Sequence, residues 1–199
     1  MKQLLITGFD PFGGESVNPA WEAVKSLPDE IGTWTLTKLQ IPTVFGEAAN
    51  TVLKTVDAMP TAPDVILCIG QAGGRAAVTP EFVAINYRHA SIADNAGTLI
   101  SESPILDGAP AAFFATVPVQ RMTAAITAAG IRAQTSYSAG TFVCNDVLYL
   151  LLHRFSSGQT QVGFIHVPFL PEQVRDTRTP SLPLDDTVRA LTAAIGALK

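Results

Sequence analysis

Apolar positions along the chain change their period several times, and each change marks an element. Lys2 to Thr7 is a short apolar run that predicts a buried strand. Gly8-Phe9-Asp10-Pro11-Phe12-Gly13-Gly14 follows, a loop that cannot be helical. Asn18-Pro19 then has the form of an N-cap and first-turn proline opening a helix through Leu27. Trp34 to Ile41 predicts a second strand, ended by Pro42. Between Thr43 and Met59, the residues Ala48, Ala49, Val52, Leu53 and Val56 fall on one helical face. Asp64 to Ile69 is an unbroken apolar run, hence a third strand. Gly70-Gln71-Ala72-Gly73-Gly74-Arg75 leaves from its carboxyl end, the side on which open α/β sheets bind ligands.

Val78 to Asn86 reads as extended, with Pro80 marking an edge or an irregular segment. Tyr87 to Ala111 has no clean period and is expected to be a long excursion, a lid or a hairpin. Pro118 to Ala129 predicts a helix with proline at its start and Gly130 at its end. Ile131 to Thr135 is partly β-branched and predicts a short strand. After it Phe142, Val143, Val147, Leu150 and Leu151 recur at helical spacing, with Thr141 in the place of an N-cap. Gln161 to His166 predicts another buried strand, followed by the loop Val167 to Pro171. Leu184, Val188, Leu191, Ile195 and Leu198 make a last amphipathic helix, with Asp185 and Asp186 in its first turn and Lys199 at its end. Strands alternate with helices throughout. That pattern predicts one α/β layered domain over residues 1–199, a central twisted sheet, mostly parallel or mixed, flanked by helices.

Composition adds three constraints. The chain has 199 residues, of which only 15% are charged, against roughly 25% in ordinary soluble domains. Part of its surface is therefore expected in a homo-oligomer. The net charge is −4 without a basic cluster, so no nucleic-acid partner is expected. The apolar part of the N-terminus is too short for a signal peptide, and no run approaches the ~18 residues that span a bilayer. A cytoplasmic protein with no membrane partner is expected, its Cys68 and Cys144 two thiols rather than a disulfide. Three dispersed His and two Cys form no zinc pattern, and neither metal nor cofactor is expected.

Chemistry concentrates at Ser136 to Asn145. A cysteine in the first turn of a helix meets free N–H groups and the positive end of the dipole, which favour a thiolate and can hold an oxyanion. A buried structural cysteine is the alternative there, and the stronger reading for Cys68. A nucleophile needs a base and a group that orients the base. His153 follows Cys144 by nine positions on the same helix, about 13 Å along its axis, out of reach. His89 lies in the excursion. His166 ends the strand that follows the Cys144 helix and is the best-placed base, with a satisfied core histidine as the alternative. Glu81 stands alone in an apolar stretch and is the orienting candidate, with Asp10, Asp94 and Asp146 as competitors. Phe9 and Phe12 in the Gly-rich loop suit an apolar pocket wall or plain packing. Gly8 and Gly13 have phosphate-loop spacing, but Gly14 and Glu15 stand where that motif requires Lys and Ser or Thr.

These residues fall within blocks that closely resemble the bacterial pyrrolidone-carboxyl peptidases, or pyroglutamyl peptidases of type I. The blocks are Thr7 to Gly14 with Asn18-Pro19, Gly70 to Arg75 through Glu81 to Asn86, Asp94 to Gly97, Ser138 to Asn145, and Gly163 to Pro168. The resemblance implies a Glu81, Cys144 and His166 triad that removes N-terminal pyroglutamate from peptides through a thioester. It also implies a lactam pocket walled by Phe9, Phe12, Phe142 and Val143, with backbone near Asn18 and Gln71 bonding the amide, and assembly as a dimer or tetramer. Relatives commonly carry Arg where this chain has Ser91, close to the active site, and Arg88 is the expected substitute. A nucleoside phosphorylase-like transferase and a catalytically silent pyroglutamate-binding protein are the alternative readings.

Overall fold

The computed structural model of the chain describes residues 1–176 and 178–198. β1 (Lys2–Phe9) is followed by α1 (Pro19–Ser26), the short β2 (Glu30–Ile31), β3 (Trp34–Ile41), α2 (Glu47–Ala58) and β4 (Val65–Gln71). β5 (Thr79–Pro80), β6 (Val83–Ile85), β7 (Ala112–Phe114), α3 (Val119–Ala128), α4 (Val143–Arg154), β8 (Gln161–Val167) and α5 (Leu184–Gly196) complete the order. The main sheet runs β2-β3-β1-β4-β8-β5, and β6 pairs with β7 separately. β3, β1, β4 and β8 are parallel, while β2 and β5 close the edges antiparallel. The sheet is thus mixed, as the alternating pattern predicts.

β1, β4 and β8 are buried on both faces, which is why each reads as a continuous apolar run. Leu4, Ile6, Leu67, Ile69 and Ile165 pack with Val24 of α1, Met122 of α3 and Leu191 of α5. Leu5, Ile66, Cys68 and Phe164 pack instead with Val52 of α2 and with Val147 and Leu151 of α4. Asn18 caps α1 as predicted, its Oδ1 accepting from Ala20 N at 3.0 Å. The last-turn role expected of Lys199 lies outside the described residues.

The strand predicted over Ile131 to Thr135 does not form as such. The segment runs extended beside residues 78–82, but only through isolated bridges at Val78 with Ala133 and Glu81 with Ser136. Val78 N donates to Arg132 O, Gln134 N to Val78 O, Ser136 N to Pro80 O and Phe82 N to Ser136 O. The rung missing from this parallel ladder is the one Pro80 would donate, and proline has no N–H. Pro80 also stands on the edge strand, as its chemistry demands.

The excursion proves to be the connection of the β6–β7 hairpin rather than a free lid. Asn86 Oδ1 accepts from Ile105 N and Leu106 N, and its Nδ2 donates to Leu106 O. Asp94 Oδ2 accepts from Phe45 N, and Asn95 Nδ2 donates to Asp10 Oδ1, so the excursion docks on the loops after β1 and β3.

α1 lies so close to β1 that a Cβ on Gly8 would stand 2.6 Å from Trp21 Cα. Gly8→Ala should therefore cost about 1–3 kcal/mol, read as a lower urea midpoint. Gly196→Ala, in a helix with open space around it, should be neutral or stabilising by about 0.4–1 kcal/mol. Equal midpoints for the two variants would contradict this packing.

Candidate active site

Three adjacent strands bring the candidates together at one end of the sheet. In the register of β4 and β8, Gly70 lies beside His166, and on the other side β5 places Thr79 opposite His166. One residue beyond β5, Glu81 N donates to Phe164 O at 2.9 Å, which aims its side chain at the same place. His166 Nδ1 and Glu81 Oε1 are 2.7 Å apart, with His166 3% and Glu81 0% exposed. An ionised carboxylate only accepts, so Nδ1 carries the proton and Nε2 keeps its lone pair. The imidazole packs against the Phe164 ring at a tilt of 50°, with ring centroids 4.7 Å apart.

Cys144 is the second residue of α4, and its sulfur lies against the bare face of Gly70, 3.1 Å from where a Cβ would be. Gly70 thus leaves room for the Cys144 sulfur and the Phe164 ring, next to His166 in the strand register. No Sγ–imidazole hydrogen bond forms among the described residues. Such contacts are commonly long in unliganded sites and tighten with substrate. Asn145 fastens this turn to β6, its Oδ1 accepting from Ile85 N and its Nδ2 donating to Ile85 O, both at 2.9 Å. The helix starts one residue later than the predicted cap. Phe142 is the N-cap and contributes no side-chain hydrogen bond, while the Thr141 hydroxyl donates to His89 O. The first-turn N–H groups stay open to an anion.

The expectation of a resting thiolate does not hold. Burial, then the negative charge of Glu81, pushes the Cys144 thiol up to about 12, and Arg75 only partly opposes them. Burial also lowers His166 below its ordinary value, although Glu81 pulls the other way. For Glu81, burial favours the neutral acid, but its hydrogen bond from His166 and the charge of Arg75 together keep it below the usual range. The resting site is a neutral thiol, a neutral imidazole and a carboxylate.

The competitors are separated from this centre. His89 turns its Nδ1 to Ser101 O, and His153 is exposed against Phe113. Asp10 accepts from Thr43 N and Asp94 from Phe45 N. Asp146 is fully buried, holding Arg88 at 2.5 Å and accepting from Gly46 N at 2.8 Å. Arg88 is therefore committed to Asp146 and does not stand in for the missing arginine at Ser91, which is exposed.

Of the pocket candidates, Phe12 and Phe142 are half-buried and face one another, 6.1 Å between ring centroids. Phe9 and Val143 are buried in the cluster between the sheet and α4. Asn18 ties the loop to the helix, its Nδ2 donating to Asp10 O, and Gln71 Oε1 accepts from Gln173 Nε2 at 3.0 Å. Sequence reasoning missed Phe45, whose ring meets Phe142 edge-on at 5.2 Å and lies under the Arg88 guanidinium. It also missed Arg75, which bonds Glu81 directly at 2.6 Å. A lone cation six positions before a lone carboxylate in an apolar stretch was the available signal. Among the described residues no group of three His, Cys, Asp or Glu is placed to hold a metal, and no helix is long and apolar enough to cross a membrane.

Known proteins resemble this chain along its whole length. The family model described as pyroglutamyl peptidase matches residues 2–199. A pyrrolidone-carboxylate peptidase of Levilactobacillus brevis is 51% identical over 98% of this chain and 97% of its own length. One of Lactobacillus helveticus is 46% identical over 97% and 96%. The crystal structure of pyroglutamyl peptidase I from Bacillus amyloliquefaciens has a TM-score of 0.92 at 44% identity, covering 98% of this chain and 95% of that one. A mutant pyrrolidone carboxyl peptidase of the hyperthermophile Pyrococcus furiosus gives 0.92 at 36%, over 98% and 97%. Matched in sequence from its second residue to its last, and in fold at both 44% and 36% identity, the chain belongs to the pyroglutamyl peptidase family.

Proposed function

We propose that Cys144, His166 and Glu81 are the nucleophile, the general base and the orienting acid of this cysteine exopeptidase, which removes N-terminal pyroglutamyl residues from peptides. The observation that carries the assignment is the buried hydrogen bond from His166 Nδ1 to Glu81 Oε1, one strand away from the Cys144 sulfur. Because the thiol rests neutral, proton transfer to His166 Nε2 accompanies attack of Sγ on the pyroglutamyl carbonyl. The tetrahedral oxyanion takes up the open N–H groups at the start of α4. His166 returns the proton to the leaving amine, leaving a thioester, and then acts as base for the water that releases pyroglutamate. Glu81 holds the tautomer and stabilises the imidazolium that forms transiently.

Phe9, Phe12, Phe142 and Val143, with backbone near Asn18 and Gln71, form the pocket in this reading. Aromatic walls suit a neutral lactam. An N-terminal Glu brings an ammonium and a carboxylate into the same place, at a cost of several kcal/mol per ion. Neither a phosphate-using transferase nor a silent binder is favoured, since the full-length match is to peptidases. Two free cysteines suit a cytoplasmic enzyme.

Release of a chromogenic amine from its pyroglutamyl amide tests the reading. The wild type and Cys68→Ala should cleave it, Cys144→Ala should be folded and inactive, and the glutamyl amide should be ignored. An active Cys144→Ala, or comparable rates on both amides, would sink it.

The pH profile tests the base. Protonation of His166 removes the lone pair that accepts the thiol proton, and burial lowers its pKa, so the neutral form persists below the ordinary value of 6.5. The acid limb of kcat/KM should have its midpoint below 6.5; a midpoint above it contradicts a buried neutral imidazole as base.

Assembly into a homo-oligomer is also part of the proposal. Of the apolar residues between Tyr87 and Phe114, Ile105 is buried and Leu106 and Phe113 pack inward, but Ile92, Leu99 and Phe114 are 46%, 62% and 66% exposed. In a chain with only 15% charged residues, these exposed apolar side chains suit symmetric association. Light scattering at micromolar concentration should give a mass well above the 21.0 kDa chain, and a monodisperse monomer would refute the oligomer.

A further inference from the structure

The Glu81 carboxylate is loaded on one oxygen. Oε1 takes both the His166 Nδ1 contact at 2.7 Å and Arg75 Nη1 at 2.6 Å, while the buried Oε2 has no hydrogen-bond partner among the described residues. The same guanidinium reaches three other acceptors. Nη1 donates to Thr79 Oγ1 at 2.6 Å and to Ser136 Oγ at 3.4 Å, and Nη2 donates to Ser138 O at 2.9 Å. Ser138 lies two residues before Gly140, whose φ of +79° turns the chain into α4 and Cys144. One planar fork therefore binds the orienting acid and the loop that delivers the nucleophile.

We propose that Arg75 is a positioning residue that acts through Glu81, fixing the carboxylate with Oε1 on the imidazole while its second nitrogen fixes the Ser138 carbonyl ahead of Cys144. A carboxylate with no access to water and only one oxygen engaged is costly to keep charged. The imidazole supplies one neutral hydrogen bond, and Arg75 adds the opposite charge. Its side chain is 29% exposed, so the cation itself stays partly hydrated while neutralising a fully buried anion. A lysine would bring the charge but not the fork. The charges acting on His166 are Glu81 and Arg75, and those acting on Cys144 are Glu81, Cys68 and Arg75. Arg75 lowers both groups. With Glu81 still ionised through its hydrogen bond from His166, removal of Arg75 should therefore raise both, moving the acid limb of activity and the onset of thiol alkylation to higher pH.

The inference rests on the proposed triad, and its test has one readout independent of substrate. Arg75→Gln and Arg75→Lys are compared with wild type for kcat and KM on the pyroglutamyl amide across pH, and for iodoacetamide labelling of Cys144 across pH, read by peptide mass. For Arg75→Gln, kcat should fall on the order of 10- to 100-fold, less than the roughly 10⁴-fold seen when a triad acid is neutralised, with KM nearly unchanged. Both pH profiles should shift upward. A kcat loss with both profiles in place would reduce Arg75 to a loop anchor, and a rise in KM alone would make it a substrate contact; either overturns the proposal. Arg75→Lys should keep the wild-type profiles and lose kcat partway. An Arg75→Lys enzyme indistinguishable from wild type overturns the fork, and decides the matter if Arg75→Gln does not fold. If wild type fails to cleave the amide, the functional reading falls, while the labelling profiles still judge Arg75.

Discussion

Glu81 carries a charge where water does not reach, and the arrangement around it follows from satisfying that charge. The edge strand ends in Pro80, which leaves the next residue free to turn inward, and β8 presents His166 two residues beyond the Phe164 carbonyl that fixes Glu81 N. Arg75 approaches from the loop after β4 and Ser136 from the segment that leads to Cys144. Four parts of the chain thus converge on one carboxylate. Breaking such a pair from one side leaves an uncompensated buried charge, worth about 3–5 kcal/mol.

A second buried acid flanks the same helix with a different role. Asp146, two residues after Cys144, joins Arg88 of the excursion to the Gly46 amide at the start of α2. It faces no open site. Its network holds α4, α2 and the hairpin connection together, and the Arg88 guanidinium over Phe45 passes that order to the aromatic wall at Phe142. In the proposed reading one acid serves chemistry and the other holds the frame.

Magnitudes decide the state of the thiol. A helix dipole contributes about 0.3–1 kcal/mol in exposed settings and up to ~2 in favourable ones. The rise of the Cys144 thiol from 9.0 to about 12 corresponds to about 4 kcal/mol in the other direction. Desolvation wins, and the open N–H groups of α4 are left for charge that develops during reaction rather than for a standing thiolate. A neutral resting thiol also spares the enzyme an anion buried beside Glu81.

Periodicity and punctuation determined most elements of this protein, because the forces behind them are local. Burial on both faces makes β1, β4 and β8 continuous apolar runs, and an Asn-Pro pair opens α1 whatever the rest of the chain does. Cys144, His166 and Glu81 were legible as candidates as well, since a lone charge in an apolar stretch and a histidine at a strand end restrict the choice. The rest depended on partners far away in sequence. The segment at 131–135 fails to register as a strand because a proline in its neighbour lacks one N–H, and Thr141 is not a cap because its hydroxyl is used by His89. Arg75 and Phe45 acquire their places only when the sheet edge and the excursion close over them. Only the tertiary structure decided the protonation state of the thiol, because desolvation depends on what surrounds the sulfur and not on which residues precede it.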